Sequence, residues 1–522
     1  MGAKKSFWLI SFFISLVGVG LLTPAISPAS SPQLPEECTS AVVAGWATPD
    51  GRPLLWKNRD IDNQDNKIVF LTEGPLKALA LVNVDSLNSI WMGVNEAGLA
   101  IINTASDDLE GPSSSENGSF QKLALLNCRS VEEFELLLRQ TNTPGRLTKA
   151  NYGVIDSEGR AAYFEAGNHT FTRFNPDSTG FLVRTNFAFT GNGMGSGYFR
   201  YNRAFELISQ AVLSGLITPQ FILRQAARDL VNDVVNPYPL PYAGGQDGLP
   251  AGFIRTANSI NRYRTRSAVV FQGVRPGEDP RLTTMWVLLG EPVCAVALPV
   301  WLLAGRVPQE LDGAGTASFC DTAIVKKALC YPLPTNQEYL NTRVLDDGQG
   351  HGIFSYTLPL EDWVFDRTWT RLESWRQSLP SAEEVSQFQK ELSSLAYACF
   401  LAGSIPNDNL SAPQNLSCQV IENRSLLLNE FGHYLQWEPP LSGASISGYR
   451  IYDVTRGERQ LMAEVSAKNT SYFRRGINFN RSYFYAVLAV DDKKKEGNPA
   501  WVKVSSSVQL SQPWNLFLVT TN

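Results

Sequence analysis

The sequence predicts an α+β protein followed by a separate all-β module. Short β-type runs cluster between residues 38 and 105, return between 152 and 185, and return again between 267 and 289. Helical patterns are grouped between these clusters instead of alternating with single strands, which favours an α+β sandwich over a βαβ wind. After about residue 410 the helical period disappears and strand-like segments recur at even spacing to about residue 510. At 522 residues the chain is long for one core. Its net charge of −5 is mild and its Lys and Arg are scattered, which excludes a basic footprint for nucleic acid.

The chain opens on Lys4-Lys5, an apolar run from Phe7 to Leu22, and small residues at Ala25, Ser27 and Ala29. This is the order of a secretory signal peptide, expected over 1–29, which predicts a secreted or periplasmic protein. The apolar run is shorter than the roughly 20 residues of a membrane span. An uncleaved anchor is the alternative, whereas Pro35-Glu36-Glu37 is a poor context for lipidation at Cys38. Residues 30–37 then read as a short propeptide.

From Cys38 onward, Ala41–Trp46, Pro53–Lys57, Lys67–Leu71 and Ser89–Met92 are expected strands. Turn signals such as Pro49-Asp50-Gly51 and Asn95-Glu96-Ala97-Gly98 separate them. Residues 130–140 (SVEEFELLLRQ) form an amphipathic helix, with Ser130 and Glu133 at capping-box spacing. Strands are expected at Tyr152–Ile155, Ala161–Glu165 and Gly180–Thr185, the first two joined by Asp156-Ser157-Glu158-Gly159. A helical region spans about 201–235, broken near Pro219. Residues 267–274 and 284–289 form a strand pair, and a helix over 381–402 closes the domain.

Export alters the reading of the seven cysteines. Setting Cys38 aside leaves Cys128, Cys294, Cys320, Cys330, Cys399 and Cys418, enough for up to three bridges. Cys320–Cys330 and Cys399–Cys418 are closest in sequence, but spacing does not assign connectivity. There is no CxxC or HExxH, and the only histidines are His169, His351 and His433, so no dedicated metal site is expected. "GNGMGSG" (191–197) lacks nucleotide-loop spacing and reads as a loop near a substrate mouth. His351 in "LDDGQGHG" is either a solvated loop histidine or a ligand or base.

In the tail, "YLQWEPP", "SGYRIYDV" and "YFYAVLAVDD" supply Trp437, Tyr449 and the alternating Tyr483/Tyr485/Val487 strand. Residues 410–510 resemble a fibronectin type III domain, the alternative being an unrelated β sandwich. No catalytic cluster lies there, so the module is expected to bind, space or stabilise, with a surface, carbohydrate or protein as its contact.

Cys38 carries the chemistry. A thiolate is a strong nucleophile when a base and a positive neighbour accompany it. Freed as a first residue, Cys38 would have its own α-amine as base, with a reference pKa of about 7.7 to 8. Lys57-Asn58-Arg59-Asp60 returns on the second strand of a hairpin, so one of these charges faces Cys38.

"CTSAVVAGWATPDGRPLLWKNRDID", "MGVNEAGLAIINTAS", "NYGVIDSEGRAAYFEA" and "FLVRTNFAFTG" together resemble the N-terminal-nucleophile (Ntn) hydrolases with an N-terminal cysteine. The relevant branch comprises choloylglycine hydrolase, penicillin V acylase and the acyl-CoA:6-aminopenicillanate acyltransferase-like proteins. The resemblance implies an αββα sandwich over 38–405. It also implies that Cys38 is both cleavage point and nucleophile, and that Asp60 orients the free amine. Asn186 would supply an oxyanion contact, with Asn103 or Thr104, by side chain or backbone, supplying a second. Lys57 falls where many members have arginine, with Arg59 close by, and which of the two faces the thiolate stays open. Arg266 corresponds to a family arginine near the site, with Arg264 and Arg262 competing for that position.

The activity implied is hydrolysis of a linear non-peptide amide through an acyl-thioester, or acyl transfer from the same site, without metal or organic cofactor. The partner implied is a small acyl-amide. The alternatives are a non-catalytic adhesion or scaffold protein, with Cys38 paired or the propeptide retained, and a papain-like Cys/His hydrolase, for which the histidines lie outside any matching motif.

Overall fold

In chain order the first ten strands are β1 (Glu37–Val43), β2 (Leu54–Asp60), β3 (Asn66–Leu71), β4 (Ala78–Asn83), β5 (Met92–Asn95), β6 (Ala100–Ala105), β7 (Ala150–Ile155), β8 (Ala161–Ala166), β9 (Phe171–Phe174) and β10 (Phe181–Arg184). Then come β11 (Phe253–Arg255), β12 (Thr265–Gln272), β13 (Thr284–Leu289), β14 (Leu298–Trp301) and β15 (Tyr339–Asn341), which pairs back to β11. The computed structural model describes residues 37–505 apart from 314, 425–428, 444 and 479–480. The expected signal peptide, the propeptide except Glu37, and residues 506–510 of the tail lie outside the described residues.

Two antiparallel sheets face each other. One has six strands in the order β10-β1-β2-β12-β13-β14, and the other is a seven-stranded meander from β3 to β9. Alternation along β4 shows the layering. Leu79 and Leu81 point into the core shared with the six-stranded sheet, whereas Ala78, Ala80 and Val82 pack with Phe120, Leu125 and Phe134 of the helices Asn117–Asn127 and Val131–Asn142. On the far side, helices Tyr198–Leu213, Phe354–Gln377 and Ala382–Ala402 pack on the six-stranded sheet. The order is helix, sheet, sheet, helix, as expected for an αββα sandwich.

Local chemistry accounts for the boundaries. Ser130 Oγ accepts from Glu133 N at 3.2 Å and so caps its helix. The β7–β8 hairpin closes on Asp156, whose carboxylate accepts from the backbone of Glu158 and Arg160. The helical region expected over 201–235 runs as a helix from Tyr198 to Leu213, is interrupted ahead of Pro219 as expected, and resumes over 219–226, where it ends short of 235. The strand expected at Ser89–Met92 lies at Met92–Asn95. Helices Asn117–Asn127, Ser318–Cys330 and Phe354–Gln377 were not foreseen.

The tail is an all-β sandwich. β16 (Gln414–Arg424), β17 (Asn429–Glu438) and β20 (Ser471–Arg474) form one sheet. β18 (Ile446–Asp453), β19 (Gln460–Ser466), β21 (Ser482–Asp491) and β22 (Glu496–Ser505) form the other. Trp437, Tyr449 and Tyr485 fill the space between them. The sandwich is not a detached bead. Tyr452, Val454, Ala486 and Leu488 join the large domain's core, and Trp501 meets Tyr397 edge-on at 5.2 Å. Lys326 crosses the junction to donate to Gly457 O at 2.9 Å.

His433 is buried inside the sandwich, with Nδ1 2.7 Å from the Tyr485 hydroxyl. Burial, reinforced by Arg474 and opposed by Asp453, depresses its pKa to about 4. The unfolded chain binds the proton near the ordinary value of about 6.5, so stability is lost as pH falls from there towards 4. The melting temperature of the chain is expected to fall across that window, and His433→Gln is expected to flatten the dependence in calorimetric scans.

Candidate active site

β1 lies between β10 and β2 in the interior of its sheet, and from Cys38 to Val43 every residue is buried. The register places Cys38 opposite Arg59, Ser40 opposite Lys57 and Glu37 opposite Asp60. Directly opposed residues of an antiparallel pair project to the same face, so Cys38, Lys57 and Arg59 share one face while Glu37 and Asp60 share the other. All of Lys57-Asn58-Arg59-Asp60 is 0% exposed. Charges are buried this completely only when paired, and each has partners.

On the other flank Ser40 pairs with Arg184 of β10, and two residues further on Asn186 comes beside Cys38. Asn186 Oδ1 accepts from Cys38 N at 2.8 Å. Its Nδ2 donates to Ala105 O at 2.9 Å. The Asn186 backbone is gripped from both sides, because Asn151 Nδ2 donates to Thr185 O at 3.2 Å and Phe187 O at 3.0 Å. The glycine-rich loop 191–197 folds back onto the same segment, with Ser196 N donating to Asn186 O. A Cβ at Gly195 would stand 2.7 Å from Phe187 Cα and 2.8 Å from Asn186 O, so only glycine allows that approach. Gly197, at φ +84°, then turns the chain into the helix that carries Arg200.

Arg200 joins these parts. Its Nη1 donates to Cys38 O at 2.6 Å and Thr39 Oγ1 at 3.0 Å, and its Nη2 donates to Asn186 Oδ1 at 2.9 Å. It stands 4.0 Å from Asp60 Oδ2. Burial, with the charge of Arg262, pulls its pKa down to about 10 against the pull of Asp60, Glu37 and Cys38, so it stays charged at neutral pH. Asp60 also accepts from Arg262 Nε at 2.8 Å and Thr265 Oγ1 at 2.7 Å. Arg262 in turn meets the Glu37 carboxylate.

On the Cys38 face, Lys57 Nζ donates to Asn103 Oδ1 at 2.8 Å and Trp91 O at 3.3 Å. Arg59 donates to Asn66 and Asn83, both at 2.9 Å, and lies over the Trp91 ring. Arg59 is therefore opposite Cys38, and Lys57 is two residues further along the same face. Asn103 Nδ2 is buried without a hydrogen-bond partner among the described residues, a donor that an incoming oxyanion would satisfy. Lys57, Arg59, Arg200 and Arg262 against Asp60 and Glu37 make a site biased towards anions.

Residues 46–212 match the family model of acyl-coenzyme A:6-aminopenicillanic acid acyl-transferase. Over that stretch the chain is similar to an acyl-transferase family. Solved structures similar to it include a mutant of conjugated bile acid hydrolase from Clostridium perfringens, at 14% identity and a TM-score of 0.30 over 48% of this chain and 89% of that one. Penicillin V acylase from Agrobacterium tumefaciens aligns at 14% identity and a TM-score of 0.31, over 51% and 86% of the two chains. The central fibronectin-III array of RIM-binding protein aligns at 22% identity and a TM-score of 0.16, over 19% and 37%. The comparison with curated proteins gives no match.

The structure brings Cys38, Asp60, Lys57, Arg59, Asn103 and Asn186 together around the β1–β2 register. Arg266 does not join them: it donates to Ile61 O at 2.8 Å, and the arginine on Asp60 is Arg262. Arg262, Arg264 and Arg266 are spaced by two, so strand alternation would put all three on one face, and the bulge between Thr265 and Ser267 that sets Arg266 apart is not visible in the spacing. Arg200 was missed altogether, since "YFRYNRAF" reads as an ordinary amphipathic helix. His351 is a solvated loop residue paired with Asp347 at 3.0 Å. Among the described residues no His, Cys, Asp or Glu cluster is placed to hold a metal. Cys128, Cys294, Cys320, Cys330, Cys399 and Cys418 are buried thiols. The pair that approaches is Cys294 and Cys330, at 3.6 Å, not either pair closest in sequence.

Proposed function

We propose that the protein is an exported cysteine Ntn amidohydrolase or acyltransferase that frees Cys38 by self-cleavage and then acts on a linear, non-peptide amide. The observation that carries this reading is the linkage of Cys38 N to Asn186 Oδ1, and of both to Arg200 and Asp60, in the middle of a buried sheet.

In processing, Cys38 Sγ attacks the Glu37 carbonyl carbon. The C–S bond forms, the C–N bond breaks, and the nitrogen leaves as an amine carrying the thiol proton. Water hydrolyses the thioester and releases the residues ahead of Cys38. In turnover the new α-amine takes the thiol proton, oriented by Asn186 Oδ1 and Asp60. The thiolate attacks the substrate carbonyl, and Asn186 Nδ2 and Asn103 Nδ2 receive the oxyanion. The protonated α-amine returns its proton to the leaving amine. Water then resolves the acyl-thioester in a hydrolase, or an acceptor amine does so in a transferase.

Intact mass of the purified chain tests this. The wild type is expected to begin at Cys38, and Cys38→Ala to keep residues upstream of it and to hydrolyse no acyl-anilide. A folded wild type that retains residues 30–37 would overturn the free-amine mechanism.

A further inference from the structure

Glu37 is the residue whose acyl group is transferred to Cys38 during self-cleavage, so the thioester formed there is an acyl-enzyme like any later one. Where its side chain sits is therefore a template for the acyl group of the substrate. The Glu37 carboxylate is held by Arg262, with Arg264 Nη1 3.9 Å from the same oxygen. Burial works against its charge, but Arg262, Arg200 and Arg264 prevail and hold its pKa below the ordinary value. Arg262 is otherwise anchored on Asp60 and Ala257 O, and Arg264 on Asp62. Both guanidinium groups thus stay in position when residue 37 departs. Cleavage removes the carboxylate and leaves its cradle.

We infer that the Arg262–Arg264 cradle recognises a carboxylate on the acyl side of the substrate, about three methylenes from the scissile carbonyl as in a glutaryl or α-glutamyl group. This rests on the Ntn reading above and narrows it. A neutral acyl chain of the same length leaves Arg262 with Asp60 but without its second carboxylate, so discrimination is expected on the order of ten- to a hundredfold for one charge-assisted contact. The amine side carries no such requirement from these residues.

The test compares glutaryl-p-nitroanilide with pentanoyl-p-nitroanilide on the processed full chain. It also compares 4-carbamoylbutanoate with pentanamide by titration calorimetry. The expected result is a glutaryl preference in kcat/KM of about tenfold or more, reduced severalfold by Arg264→Gln, with 4-carbamoylbutanoate the tighter ligand. Equal turnover of the two anilides would overturn the inference and leave the hydrolase reading standing. If neither anilide is cleaved, the hydrolytic reading falls and calorimetry decides the cradle: preferential binding of 4-carbamoylbutanoate upholds it, and equal binding overturns it. A chain that keeps Glu37 never exposes the cradle, and that outcome would overturn the inference together with the processing it rests on.

Discussion

Asp60→Asn is expected to lower acyl-anilide turnover by about 10³- to 10⁴-fold, the scale set by loss of an orienting buried carboxylate in other nucleophilic sites. It is also expected to destabilise the fold by about 3–5 kcal/mol. Both effects follow from one geometry. The carboxylate is fully buried, accepts from Arg262 and Thr265, and lies within ion-pair distance of Arg200. Asparagine preserves the shape and one acceptor but strands two buried guanidinium charges. Thr265→Val removes one neutral donor from the same carboxylate and should cost less, about 1.5–3 kcal/mol. Thermal melts of the two variants, read beside initial rates, check the ordering. A stable Asp60→Asn chain with wild-type turnover would remove Asp60 from the mechanism.

How legible this was depends on sequence distance. The β1–β2 hairpin is local, so the motif from Cys38 to Asp60 already implies its register, and Asn186 lies in the strand extension that flanks β1. Arg200 contacts the site only because Gly195 and Gly197 let the loop close on Asn186 and aim the next helix, which residue type alone does not reveal. Two of the missed helices depart from a clean apolar stripe, each in its own way. Asn117 and Gln121 are buried polar residues that blur the apolar stripe of their helix, and Pro359 interrupts the pattern of 354–377. Docking of the sandwich was hidden for a related reason. Val454, Ala486 and Leu488 look like residues of the sandwich alone, whereas they are buried in the large domain's core.

Arg200→Met is the sharper probe of how the site is assembled, because Arg200 reaches the nucleophile's residue and the asparagine beside it at once. With the guanidinium gone, Cys38 O and Thr39 Oγ1 lose a donor, and Asn186 Oδ1 loses the one that holds it alongside Cys38 N. The Asn186 amide is then less firmly oriented, and its oxyanion contact is no longer aimed. Loss of one oriented donor of this kind costs about 10²- to 10³-fold in kcat, and KM should change little because Arg200 is buried behind Cys38. Arg200→Lys places a single ammonium where two guanidinium nitrogens diverge, so it can serve Cys38 O or Asn186 but not both, and an intermediate kcat is expected. A purely structural role predicts instead that activity tracks the melting temperature across the two variants. Parallel loss of rate and stability, with no partial rescue by lysine, would therefore reduce Arg200 to a scaffold residue. A kcat defect in a chain that melts normally would establish it as the group that positions Asn186.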